Sequence, residues 1–223
     1  MENTDNTVTV ALGIPTINRN DLLQEALEVY KETWYGRHVF IVDNGNQAIQ
    51  TKSSNQRVMV MPKNLGVAGS WNLLAKTIRN KGYSHVALLN DDIVWNRNAD
   101  EIEEFIKNHP ADFYQGLGTW CCFVMPIKTL EKIGLFDEIF VGSYFEDNSM
   151  YYRMKLLGMK IIADAFFNPE VYRNSATIEK DPSLNMNFDR NRQTFIEMWG
   201  GMPMQETFTI PFNGTRPYDP PRF

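Results

Sequence analysis

Apolar and polar positions along this chain fall into short blocks that switch between the period of a strand and that of a helix. Residues 8–14 (VTVALGI) form a β-branched run that Pro15 is expected to halt. Residues 20–34 place Leu23, Leu27, Tyr30 and Trp34 on one helical face, with Asn20 as the expected N-cap. The runs 38–42 (HVFIV), ending in Asp43-Asn44-Gly45, and 57–61 (RVMVM), closing on Pro62, read as strands entering turns. A helix over 70–80 turns Trp71, Leu74, Ala75 and Ile78 inward, and residues 85–89 (HVALL) follow as an interior strand that stops on Asn90-Asp91-Asp92.

The second half predicts helices at 99–108, 127–133, 146–157 and 188–199, and strands at 121–125 and 159–163. Gly158 is a natural stop for the third of these helices, which Glu146 and Asp147 open. Gly200-Gly201 leads into a proline-rich tail read as irregular and lying over the domain. Strands alternating with helices predict an α/β fold, with a mostly parallel central sheet flanked by helices.

Composition narrows the partner. The 223 residues carry a net charge of -5, which argues against a dedicated nucleic-acid binder, and a 43% hydrophobic share that fits a globular domain. No apolar run approaches the ~20 residues of a membrane span. The polar start Met1-Glu2-Asn3-Thr4-Asp5-Asn6 lacks signal-peptide features, so a cytoplasmic location is expected. Cys121 and Cys122 are read as reduced core residues, because strand geometry points neighbours to opposite faces.

Carboxylates recur where strands end. Asp43 follows the second strand and Asp91 and Asp92 the fourth, so in a parallel sheet they should share the edge where ligands bind; Glu146 and Asp147 open a later helix. Taken singly, each reads equally well as a turn-former or cap. The segment Asn64-Leu65-Gly66-Val67-Ala68-Gly69-Ser70-Trp71-Asn72 permits close backbone approach to a phosphate or ribose, yet it lacks both dinucleotide and P-loop spacing.

Pro15-Thr16-x-Asn18-Arg19, Val42-Asp43-Asn44-Gly45, Asn64-Leu65-Gly66-x-Ala68-Gly69-x-x-Asn72, Asn90-Asp91-Asp92 and Phe145-Glu146-Asp147 occur in that order. The series resembles the family 2 glycosyltransferases of GT-A fold, in particular their rhamnosyltransferase-like branch, over residues 8 to about 175. Met198-Trp199-Gly200-Gly201 and Pro211-Phe212-Asn213 are also similar to segments of such enzymes. The resemblance implies a single Rossmann-like domain over 1–223, with a nucleotide-binding half at 8–95, an acceptor and catalytic half at 96–199 and a tail at 200–223.

It also implies an inverting transfer of a sugar from a UDP-, dTDP- or GDP-linked donor to a hydroxyl of a glycan, glycolipid or glycoprotein. Asp43 would accept from the base, and Pro15, Thr16 and Arg19 would line the same pocket. Asn64, Gly66 and Gly69 would bring backbone to the nucleotide, and Asn72 would brace the loop or touch the donor. Asn90 belongs to the donor site, Asp91 would meet ribose or sugar, and Asp92 would bind Mn²⁺ or Mg²⁺, hard cations suited to oxygen ligands. The cation would neutralise the leaving diphosphate. Asp147, or Glu146 if the helix is rotated, would be the general base. Arg153, seven residues after Glu146 on the same helical face, would hold a phosphate or the base carboxylate, or lie solvated at the surface.

The resemblance is incomplete at one place. Many relatives of this kind carry a histidine after the catalytic carboxylate to complete the metal shell, whereas residues 168–175 here contain none. Arg173 in that stretch would set positive charge near the diphosphate. His38, His85 and His109 read as structural or exposed, the first two at the edge away from the crevice. Trp95 and Tyr144 are candidates for an acceptor wall, Trp120 and Phe145 for core, and Gly142-Ser143 for a loop that closes over the donor. Nucleotidyl transfer and a non-catalytic nucleotide-sugar-binding module are the competing readings.

Overall fold

The computed structural model describes residues 7–118, 120–173 and 176–223. The polar start and two positions of the segment without histidine, 174 and 175, lie outside the described residues. In chain order the elements are β1 (Val10–Thr16), α1 (Asn20–Thr33), β2 (Val39–Asp43), β3 (Gln56–Val60), α2 (Gly66–Asn80), β4 (His85–Leu89), β5 (Ile93–Val94) and α3 (Ala99–Asn108). After them come β6 (Phe113–Gln115), β7 (Cys122–Pro126), α4 (Ile127–Ile133), α5 (Glu146–Leu156), β8 (Ile161–Ala163), β9 (Val171–Tyr172), α6 (Ala176–Lys180) and α7 (Phe188–Trp199).

Seven strands form one sheet in the order β3-β2-β1-β4-β7-β6-β8. β1 to β4 are mutually parallel, β7 runs against both of its neighbours, and β6 and β8 are parallel to each other. β5 and β9 pair as a separate antiparallel ribbon. The sheet is continuous from β3 to β8, so it joins the segments before and after residue 95.

Alternation along β1 sorts the core into two layers. Val10, Leu12 and Ile14 pack with Leu23, Leu27 and Tyr30 of α1 and Ile102 and Ile106 of α3, while Ala11 joins Leu74 and Ile78 of α2 on the other face. Gly13 lies on that second face, where a Cβ would come within 2.9 Å of Leu88 and 3.1 Å of Leu74. Its missing side chain lets α2 lie close against the strand. A third cluster, with Phe140, Phe145, Phe195, Met198 and Trp199, packs α7 against the approach to α5.

Several boundaries differ from the sequence reading. β1 continues through Pro15 to Thr16, because pairing with β4 ends at Gly13 and the missing N–H of Pro15 faces no ladder there. Asn20 is the first helical residue and not the cap; its side chain accepts from Gln24. α2 starts at Gly66, four residues earlier than its apolar face predicts. Both cysteines are buried, and burial pushes the Cys122 thiol up. His85 opens β4 and His38 immediately precedes β2, both at the strand ends remote from Asp43 and Asp91.

Candidate active site

From β1 the chain steps to β2 on one side and returns as β4 on the other, which makes the gap beyond β1 and β4 a topological switch point. A cleft of about 370 Å³ opens there. Pro15, Thr16 and Ile17 line it from the end of β1, and Asn90, Asp91 and Asp92 from the end of β4. The glycine segment adds Asn64, Gly66, Val67 and Trp71, and the approach to α5 adds Gly142, Ser143, Tyr144, Glu146, Asp147 and Asn148. Asn44, Trp120, Cys121, Tyr172, Thr177, Ile178 and Leu184 complete the lining. Four carboxylates face this space, and among the described residues no lysine, arginine or histidine lines it.

Burial governs how these carboxylates titrate. Asp91 Oδ2 accepts from the Ile17 N–H at 3.4 Å and Oδ1 from Thr177 Oγ1 at 3.2 Å, yet desolvation pushes the group up to about 6. Asp92 is also pushed up by burial, against the opposing charges of Arg19 and Arg173, and its Oδ1 has no hydrogen-bond partner among the described residues. Glu146 and Asp147 are both raised by desolvation. Asp147 Oδ1 accepts from the Asn148 N–H at 2.7 Å, whereas Glu146 Oε2 has no partner among the described residues. Of this pair, Glu146 is pushed up to about 8 by burial and by the neighbouring Asp147 charge, which makes it the better holder of a shared proton.

One hard-cation position fits these residues. The buried, unpartnered Oδ1 of Asp92 on the cleft wall is suited to a cation whose other ligands come from a diphosphate and water. No group of three or more His, Cys, Asp or Glu side chains is placed to enclose a metal among the described residues.

Several predicted site residues lie elsewhere. Asp43 is fully buried and closes its own turn, accepting from the N–H groups of Gly45 at 2.9 Å and Gln47 at 2.7 Å. Arg19 holds Asp21 through two bonds of 3.1 Å. Asn72 braces a loop, donating to Phe136 O and Glu138 and accepting from the Phe136 N–H. Gly69 sits within α2, outside the cleft lining. Arg153 is neither at a phosphate position nor solvated: buried, it donates to Ile133 O at 2.9 Å and Leu135 O at 2.6 Å and pairs with Asp137 at 3.4 Å. Arg173 turns to Glu25 on α1 at 2.9 Å.

The glycine segment meets the cleft with its first amides already engaged. The Gly66 N–H donates to Asn64 Oδ1 and the Val67 N–H to Gly142 O at 2.7 Å. Trp95, expected on an acceptor wall, is fully buried between Trp34 and Phe167, while Trp120 packs against the core beside Phe113 and Tyr151 as expected and also lines the cleft. Tyr144 does line it, and Phe145 is core. Thr177 and Ile178 of α6, and Leu184 of the short helical turn at Pro182–Asn185, carried no sequence signal, since neither segment buries a side chain. Trp71 was legible only as core, which it is while also reaching the cleft.

Residues 12–133 match the profile of the family described as Glycosyl transferase family 2. No curated protein sequence matches the chain. The fold is similar to that of the mannosyltransferase PcManGT from Pyrobaculum calidifontis, solved in complex with GDP-Man and Mn²⁺. The TM-score is 0.60 and the identity 14%, over 75% of this chain and 58% of that one. A protein described as a nucleotide-diphospho-sugar transferase from Desulfovibrio desulfuricans aligns over 84% of this chain and 98% of its own, with 9% identity and a TM-score of 0.48. The mixed α/β sheet flanked by helices is that of the GT-A fold.

Proposed function

Because this chain belongs to glycosyl transferase family 2, we propose that it moves a sugar from a nucleotide-diphosphate donor to a hydroxyl of a glycan, glycolipid or glycoprotein with inversion of the anomeric centre. The observation that carries this reading is the meeting of Asp91, Asp92 and Asp147 across one cleft at the switch point of the sheet, with no basic side chain lining it among the described residues. A diphosphate in such a cleft needs a counter-charge that the lining does not supply. Asp92 is the residue that would hold a divalent cation, which when bound would neutralise charge on the leaving group.

Asp147 takes the proton of the acceptor hydroxyl as its oxygen bonds to the anomeric carbon, and the bond from that carbon to the donor phosphate breaks as the nucleoside diphosphate departs. Glu146, holding its proton, does not compete for that role. Tyr144 and Trp120 offer ring surface to the apolar face of a sugar. Placement in the rhamnosyltransferase-like branch rests on the motif series alone.

Calorimetry with UDP, GDP and dTDP, with and without Mn²⁺, tests the proposal; GDP is the first choice, because the mannosyltransferase of similar fold carries GDP-Man with Mn²⁺. Selective binding of one diphosphate, strengthened by Mn²⁺ and lost in Asp92→Ala, is expected. Binding of none of the three would overturn the proposal. Metal-enhanced binding without any transfer would leave a nucleotide-sugar-binding module instead.

A further inference from the structure

Asn191 lies in the first turn of α7, outside the segment that matches the family profile and away from the cleft lining. It is fully buried and spends its whole amide on one loop. Oδ1 accepts from the Val141 N–H at 3.1 Å, and Nδ2 donates to Val141 O at 2.9 Å, Ser143 O at 2.8 Å and, more weakly, Tyr144 O at 3.4 Å. Only this orientation of the amide sets its oxygen against an N–H and its nitrogen against carbonyls.

The loop needs such a hold. Gly142, Tyr144 and Phe145 have φ of 79°, 78° and 76°, and left-handed backbone at two successive non-glycine residues persists only where the surroundings over-determine it. Phe145 adds a ring contact to Phe195 of α7, one helical turn beyond Asn191. The same loop presents Tyr144 to the cleft, receives the Val67 N–H at Gly142 O and runs without a break into Glu146 and Asp147.

We propose that Asn191 is a positioning residue of the transfer reaction: from outside the cleft it fixes the left-handed geometry of residues 141–145 and so the aim of the Asp147 carboxylate. This rests on the reading of Asp147 as general base. It also revises the expectation that Gly142-Ser143 forms a closing loop, because that loop is anchored.

Asn191→Asp tests the proposal, since aspartate keeps the shape and the acceptor for Val141 but loses both donors and sets a carboxylate against the Ser143 and Tyr144 carbonyls. The readouts are release of nucleoside diphosphate from the sugar nucleotide whose diphosphate binds, affinity for that diphosphate with Mn²⁺, and hydrogen exchange over 141–147. The expected result is a fall in kcat of about 10- to 100-fold, affinity within about threefold, and faster exchange confined to 141–147. Wild-type kcat, unchanged exchange in that segment, or affinity lost in step with kcat would each overturn it. If Asn191→Asp does not fold, Asn191→Ser, which leaves room for a water, is read by the same outcomes. Asp147→Asn separates the two readings. Wild-type turnover in that variant overturns the base assignment, whereas a silent Asn191→Asp beside an inactive Asp147→Asn overturns only the role of Asn191.

Discussion

Thr177 donates from Oγ1 to Asp91 Oδ1 at 3.2 Å, joining two residues 86 positions apart and tying α6 to the end of β4. Even with this bond, burial keeps the Asp91 carboxyl up at about 6. A carboxyl raised in the folded state contributes stability that is complete below its unfolded value, near 4, and is lost as pH rises through about 6. Asp91→Asn, neutral throughout, should therefore match wild type in urea unfolding at about pH 4 and exceed it by about 2–3 kcal/mol at about pH 8, without nucleotide or metal. Equal stability at the higher pH would show that Asp91 is charged at little cost, and that the site is not strained for function.

Glu146 and Asp147 should separate in the same way by role. Gln replaces a protonated Glu146 almost isosterically, so Glu146→Gln should keep turnover within about threefold and fold at least as stably at neutral pH. Asp147→Asn should lower turnover by about 10²–10⁴-fold with nucleotide affinity unchanged. Initial rates and calorimetry on both variants decide, and the opposite pattern would transfer the base role to Glu146.

How far the sequence carries depends on which interactions hold each residue. The strands that end at the cleft were legible because HVALL and VTVALGI are apolar on both faces, and only an interior strand buries such a run. The carboxylates at their ends were legible for the same reason. For Asp43, an aspartate that accepts ligand bonds and one that accepts from Gly45 and Gln47 look alike in one dimension, and only the structure shows the turn it closes. Trp95 and Trp120 both flank the site in sequence, and only tertiary packing shows that Trp95 is sealed in the core while Trp120 also reaches the cleft. Thr177, Ile178 and Leu184 come from a polar segment without periodicity, so no pattern announced them.

Arg153 makes a prediction about stability rather than chemistry. Its guanidinium meets Asp137, which also accepts from Ser149 at 2.6 Å and from Tyr218 of the tail. Removing the cation leaves a buried carboxylate without its counter-charge, so Arg153→Met should destabilise the fold by about 3–5 kcal/mol. Nucleotide affinity of the folded fraction should be retained. Adding Asp137→Asn should recover part of the loss in a double-mutant cycle. A variant as stable as wild type but defective in nucleotide binding would return Arg153 to the donor site.

The two glycines of the Gly66-x-x-Gly69 segment should respond unequally to alanine. Gly66 has φ of 70°, and a Cβ there would lie 2.7 Å from Gly142 O and 3.1 Å from Gly142 N, so alanine must both strain the backbone and push away the loop that leads to Glu146. A non-glycine residue in a left-handed position costs on the order of 1–3 kcal/mol before the clash is counted. Gly69 is an ordinary helical position whose Cβ would meet Leu65 Cβ at 3.2 Å, a contact that a small side-chain shift can relieve. Alanine there regains up to about 1 kcal/mol of helix propensity. Urea unfolding should show Gly66→Ala destabilised and Gly69→Ala within about 1 kcal/mol of wild type. Hydrogen exchange over 141–147 should quicken in the first variant alone. If Gly66→Ala is tolerated as well as Gly69→Ala, the close approach of the glycine segment to Gly142 is not what holds this side of the cleft.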